Sequence, residues 1–316
     1  MKRTMITTAI LLSALTFAVP AQAKTEIIPT KIIPEVLPGT FHTEVPQAVL
    51  DLVESTFTEG EPVDPIFTDP ALNPNLYLAS DSDVLITFID EAAAYLNTVG
   101  YVAWQPGQLD GFSFADLDKN GKNGVSIFEL ANATGADYGL LFPNASRVGD
   151  GGKLETGSSI YLAGGKVFSA DTRISLFLMQ DAWDPNKKTV KGFGNKHDND
   201  NAPQTFYTLD FLNPENPDGA TIDNPGSDTR HAAMLFEDAS QNAVLIGMED
   251  LNLVDPSSNP WGLTNDGDYN DVVLRLQAPM GGDIPTAPAP LAGGGLAGLA
   301  ALISMIGAAR KRKASL

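Results

Sequence analysis

The chain of 316 residues has no cysteine, three histidines, and 20 lysines and arginines against 39 aspartates and glutamates, for a formal charge of −19. Without cysteine there is no disulfide framework, so stability has to come from a hydrophobic core or from bound ions. The acidity disfavours nucleic acid and anionic lipid as partners and favours divalent cations, although secreted proteins are also acidic for solubility alone.

Residues 1–23 open with Lys2-Arg3, continue through an apolar run at 10–19 and end at Ala21-Gln22-Ala23. A basic start, a short apolar stretch and a small-x-small end predict a secretory signal peptide, with the mature chain starting near Lys24. Residues 24–80 are rich in proline and read mainly as an extended leader, with a short helix allowed over 48–53.

From residue 81 to 278 the pattern changes to short β-rich runs separated by Gly/Asn/Asp turns, at 84–89, 101–104, 159–168, 173–179, 205–209, 232–236, 243–248 and 272–277. In the last run Val272, Leu274 and Leu276 alternate with Val273, Arg275 and Gln277, which predicts a core face and an outward face; Ile174, Leu176 and Leu178 form a similar stripe. Short strands without long intervening helices predict an all-β fold, an antiparallel β-sandwich of jelly-roll type. Short helices are expected near 92–96 and 127–131. The second is marked by Ser126 and Glu129 at capping-box spacing.

Two acidic loops carry the chemistry. Asp266, Asp268, Asn270 and Asp271 lead directly into the run at 272–277, and Glu249 and Asp250 follow the run at 243–248. Antiparallel pairing of those runs brings both acidic ends to one edge, where hard oxygen ligands suit Ca2+. The competing reading is a solvated Asp/Asn/Gly turn. The weaker loop holds Asp116, Asp118 and Asn120 before Glu129. Counting from Asp116 puts Ile127 at the twelfth position, and counting from Asp118 puts Lys122 where an oxygen belongs, so neither register is a proper EF-hand.

After a Pro/Gly linker at 279–290, residues 291–309 are uncharged and Arg310-Lys311-Arg312-Lys313 follow. Such a segment is just long enough to span a bilayer, and the basic cluster would stay on the cytoplasmic side. Together with Pro288-Ala289-Pro290 this end resembles the PEP-CTERM sorting signals of Gram-negative bacteria. That resemblance implies recognition and removal by an exosortase-type enzyme; a permanent single-span anchor is the alternative. Between the two end segments 14 basic residues face all 39 acidic ones, a net of −25.

Segments spread over about 80–277 resemble an exported bacterial domain, the domain of unknown function 4114, often found with PEP-CTERM tails and in LruC-type proteins. They include the stretches at 83–91, 94–101, 142–146, 173–178 and 231–236, and above all Glu249-Asp250 followed by Asp266-Gly267-Asp268-Tyr269-Asn270-Asp271. Met248 stands where that pattern usually has an aromatic residue. The resemblance implies an exported β domain with a suspected calcium site and no established enzymatic activity.

No Ser/His/Asp elbow, metal-ligating His pair or phosphate loop is present, and His42, His197 and His231 are scattered. The expected function is therefore a non-enzymatic cell-surface or extracellular-matrix protein, calcium-stabilised, binding exopolysaccharide, cell-surface glycan, cells or itself. The alternative is a secreted hydrolase that acts on polysaccharide with paired carboxylates. Trp104, Trp183 and Trp261 are open to two readings, sugar-stacking platforms or packing residues.

Overall fold

The computed structural model describes residues 32–69, 74–119, 124–193, 203–216, 219–223, 230–237, 243–254 and 265–278. Two antiparallel sheets lie face to face. One has the strand order β1 (Phe41–His42), β6 (Ser158–Tyr161), β3 (Leu85–Asp90), β13 (Val272–Gln277), β12 (Ala243–Met248) and β11 (Ala232–Phe236). The other has the order β10 (Thr205–Tyr207), β7 (Arg173–Met179), β4 (Thr98–Trp104) and β5 (Asp137–Phe142), with β2 (Leu76–Tyr77) also on β7. A small hairpin of β8 (Trp183–Asp184) and β9 (Thr189–Val190) lies apart. The fold is the all-β antiparallel sandwich that the alternating runs predict.

The core between the sheets is built by that alternation. Val272, Leu274 and Leu276 of β13 point inward with Ile86 and Phe88 of β3, and Ile174, Leu176 and Leu178 of β7 meet them from the other sheet. The reverse face of β13 does not face water, contrary to expectation. Val273 is fully buried and Arg275 nearly so, its guanidinium paired with Glu237 at 2.7 Å. The cause is helix α1 (Gln47–Thr56), which lays Val49 and Val53 on the outer face of the six-stranded sheet, followed by Phe57 and Val63. Period-two alternation shows which side chains share a face, but not whether a distant segment covers that face.

The outer face of the other sheet is covered too, by α2 (Phe114–Leu117) and α3 (Ile127–Thr134), which pack Phe114, Leu117, Ile127 and Leu130 against Val102, Trp104 and Phe177. Both helices start at capping boxes, Ser113 with Asp116 and Ser126 with Glu129, so two orphan amides are satisfied at each start. The helix expected near 92–96 is absent: this stretch is irregular, and its Ala92 N–H donates to the Asn270 carbonyl at 3.1 Å. Strand β5 was not anticipated. Its Gly139 interrupts the β pattern, yet a Cβ there would sit 2.8 Å from the Tyr101 ring, so the packing selects glycine.

The signal peptide at 1–23 and the tail at 279–316 lie outside the described residues, so their expectations are not addressed by the fold. Among the described residues, no helix is long and apolar enough to cross a membrane.

Candidate metal centre

Antiparallel pairing of β12 with β13 sets Met248 opposite Val272, so Glu249 and Asp250 leave the sheet beside the residues that enter it. Carboxylate oxygens of Glu249, Asp250 and Asp271 then lie within 4.8 Å of one another. Oxygens on opposite sides of a calcium ion, each at about 2.4 Å, are about 4.8 Å apart, so the spacing suits a shared hard cation.

The cluster sits at one end of the sandwich and is held by both sheets. Asn97, just before β4, donates through Nδ2 to Asp250 Oδ2 at 2.6 Å, and Gln180, just after β7, donates through Nε2 to the Asp250 carbonyl at 2.6 Å. The Asp250 N–H donates to Asp271 Oδ2 at 2.7 Å. Glu249 and Asp250 are each only 1% exposed. Glu249 Oε1 accepts the Leu251 N–H at 3.3 Å, whereas Oε2 is buried with no hydrogen-bond partner. An orphaned buried carboxylate oxygen is costly unless a proton or a cation meets it.

Electrostatics lead to the same conclusion. Burial pushes the Glu249 carboxyl well above the usual carboxylate range; the charge of Asp271, a hydrogen bond that a protonated Glu249 gives the Asp271 carboxylate, and the charges of Asp266 and Asp268 push it further. Asp271 is raised well above its ordinary value by burial and then by Asp250; Asp250 is raised by burial and by Glu249, against the Asn97 hydrogen bond. At an effective dielectric of about 20, two charges about 4.8 Å apart repel by on the order of 3 kcal/mol. Three ionised carboxylates therefore do not share this space bare at neutral pH. The choice lies between protons and a divalent ion.

The six residues expected to form one site separate into two groups. Asp266 and Asp268 do not join the triad but gather with Glu59, which follows α1, and oxygens of these three also lie within 4.8 Å of one another. Asp268 is buried, and its carboxyl is raised by burial despite the hydrogen bonds it accepts from Gly60 and Asn270. Asn270 donates through Nδ2 to Glu59 Oε2 at 3.1 Å, so its amide serves the second group. Glu59 had no local signal in the proline-rich leader. Asn97 and Gln180 are single amides far from either acidic loop.

Glu91 extends the acidic end. It is 1% exposed, its Oε2 accepts the Arg147 N–H at 3.2 Å, and its Oε1 has no partner. Burial pushes its carboxyl up to about 7, opposed by the Arg147 hydrogen bond. It lines a cleft of about 730 Å³ beside α1, together with Phe57, Glu59 and Asn270.

The weaker loop is arranged differently. Asp116 and Glu129 turn back onto their own caps, Ser113 and Ser126 at 2.7 and 2.8 Å, and Asn120 lies outside the described residues. Asp116, Asp118 and Glu129 do not converge as a group among the described residues. His231 is fully buried, stacked on Phe206 with Nε2 2.8 Å from Glu215 Oε1 and Nδ1 3.1 Å from the Glu249 carbonyl; it braces the strand beside the triad. Trp104 and Trp183 are buried in the layer behind the five-stranded sheet, a packing role, while Trp261 and His197 lie outside the described residues.

Fold and site together define an antiparallel β-sandwich protein with a largely buried carboxylate cluster at one end. Residues 168–279 match the family model described as Domain of unknown function (DUF4114). That span holds Glu249, Asp250, Asp266, Asp268 and Asp271, while Glu59, Glu91 and Asn97 precede it. Searches of curated proteins and of solved structures gave no match.

Proposed function

We infer that the chain is an exported, non-enzymatic surface or matrix protein whose sandwich is stabilised by calcium bound between Glu249, Asp250 and Asp271. The observation that carries this reading is the convergence of the buried Glu249 and Asp250 with the half-buried Asp271, together with the unpartnered Glu249 Oε2. Hard oxygen donors from two strand ends suit calcium better than the softer, nitrogen-loving metals. For a domain with no disulfide, an ion that ties two strand ends together adds stability that only the folded state gains. Export rests on the N-terminal segment, and surface sorting by an exosortase-type enzyme on the C-terminal one. Exopolysaccharide, cell-surface glycan or further copies of the chain are the partners this role would serve.

A hydrolase would need its acid and base beside bound sugar. The burial of Glu249 and Asp250 favours an ion over substrate contact. Titrating chelator-treated protein with calcium chloride in a calorimeter tests the central claim. Saturable binding with a Kd of about 0.1 to 1 mM, lost in Asp271→Asn, is expected. No binding heat up to about ten times that range would end the calcium reading, and glycan cleavage would revive the hydrolase.

A further inference from the structure

The loop that supplies Asp271 to the triad also holds the N-terminal arm, residues 43–69. Three contacts fasten the arm where it leaves α1. The Gly60 N–H donates to Asp268 Oδ2 at 2.7 Å, the Val63 N–H donates to the Gly267 carbonyl at 2.9 Å, and Asn270 Nδ2 donates to Glu59 Oε2 at 3.1 Å. All three acceptor or donor groups on the loop side lie within four residues of Asp271.

At its ends the arm is also held by the Thr43 N–H on the Gly157 carbonyl at 2.8 Å and by Arg230 Nη1 on the Asp69 carbonyl at 3.2 Å, but the helix between them has weak local support. Helix α1 is ten residues long, its N-cap is Pro46 with no side-chain cap, and it has no acidic residue in its first turn or basic residue in its last. A helix this short is marginal on its own and owes its stability to packing. What it packs on is the apolar outer face of the six-stranded sheet, Ile89, Ala233, Leu235, Leu245 and Val273.

The loop between triad and arm is itself under strain. Tyr269 sits at φ 55°, a left-handed conformation that a bulky residue adopts only when its surroundings enforce it. Its hydroxyl donates to the Arg230 carbonyl at 2.8 Å, and its ring packs among the residues under the arm. Without the ion the triad carboxyls must take up protons or repel one another, and either change falls on Asp271, two residues along. The loop can relieve both by moving, and the contacts to Glu59, Gly60 and Val63 move with it.

We propose that the 265–271 loop is a calcium-dependent latch: with an ion at Glu249, Asp250 and Asp271 it fastens the 43–69 arm over the outer face of the six-stranded sheet, and without the ion it releases the arm and bares that face. The apolar face is thus a docking surface whose occupant is the chain's own arm, and calcium sets how firmly it is seated. This rests on the calcium reading above.

Hydrogen–deuterium exchange on the full chain, in millimolar calcium and in chelator, tests it beside calorimetry on the same samples. Peptides covering 47–63 should exchange at least about tenfold faster in chelator, while those covering β4 and β7 keep their rates. Asp271→Asn should make the arm insensitive to calcium. Asp268→Ala, which cuts the Gly60 contact and the Asn270 N–H bond within the loop but leaves the three triad carboxylates, should bind calcium within about threefold of wild type yet exchange fast in the arm under both conditions; loss of calcium binding in this variant would overturn the placing of the ion at the triad and the latch with it. If calcium binds and arm exchange does not change, the latch is wrong and the ion site stands. An arm in Asp268→Ala that is as protected as in wild type also overturns the latch. If no calcium binds at all, both ideas fall together, a result distinct from the other two.

Discussion

Replacing Asp271 with asparagine should have opposite effects in calcium and in chelator. The amide keeps an oxygen that can accept the Asp250 N–H, now bonded to Oδ2 at 2.7 Å, so the local geometry can persist. It removes one charge from three carboxylates whose oxygens lie within 4.8 Å of one another. In chelator the variant should therefore be more stable than wild type, by up to about 3 kcal/mol at a pH where the wild-type triad is ionised and by less where it holds protons, because one partly buried acidic group is gone. In about 5 mM calcium the wild type gains RT ln(1 + [Ca]/Kd), roughly 1 to 2.3 kcal/mol for a Kd of about 0.1 to 1 mM. For a domain of this size that is a rise in Tm of about 2 to 9 °C. Differential scanning calorimetry of both proteins, with and without calcium, reads all four states. A variant that keeps the full calcium increment would refute the assignment of Asp271 as a ligand. A variant less stable than wild type in chelator would refute the claim that the triad is electrostatically frustrated without an ion.

The calcium-free protein should lose stability as pH rises through Glu91. Its folded carboxyl titrates at about 7 against an ordinary 4.5, so the folded state holds the proton more tightly and stability falls between those two values. The loss amounts to about 3 kcal/mol for this residue, on top of the slope set by the raised triad carboxyls, so Glu91→Gln should reduce the slope of the urea-melt profile between about pH 5 and 7.5 without abolishing it; an unchanged slope would refute the shift given to Glu91. Asp210, raised to about 6 by burial against the opposing charge of Arg230, should add a decline of the same sign over about pH 4 to 6, removed in Asp210→Asn. Gly247→Ala should unseat the arm, since a Cβ there would lie 2.3 Å from the Tyr269 carbonyl oxygen and 2.6 Å from the Phe57 ring; a Tm within about 1 °C of wild type would contradict that packing. Deleting residues 291–316 should move the protein from the membrane fraction to the medium, which immunoblotting of fractions reads; unchanged fractionation would remove the sorting role given to that segment.

Features that depend on neighbours along the chain are legible in the amino-acid sequence. The alternation of Val272, Leu274 and Leu276 fixed an inward face, because successive strand residues point to opposite sides. Ser126 and Glu129 fixed a helix start, because a capping box closes within four residues. Acidic residues on either side of two pairing strands placed Glu249, Asp250 and Asp271 at one edge, because an antiparallel register brings adjacent strand ends together. Tertiary structure decided how those carboxylates divide. Asp266 and Asp268 turn toward Glu59, about 200 residues earlier in the chain, and Asn97 and Gln180 reach Asp250 from the opposite sheet. It also decided that both outer faces are covered, since α1 docks on one and α2 and α3 on the other. Pairings across such distances leave no period or motif in the sequence. They arise only when the whole chain packs to bury apolar surface and satisfy its polar groups at once.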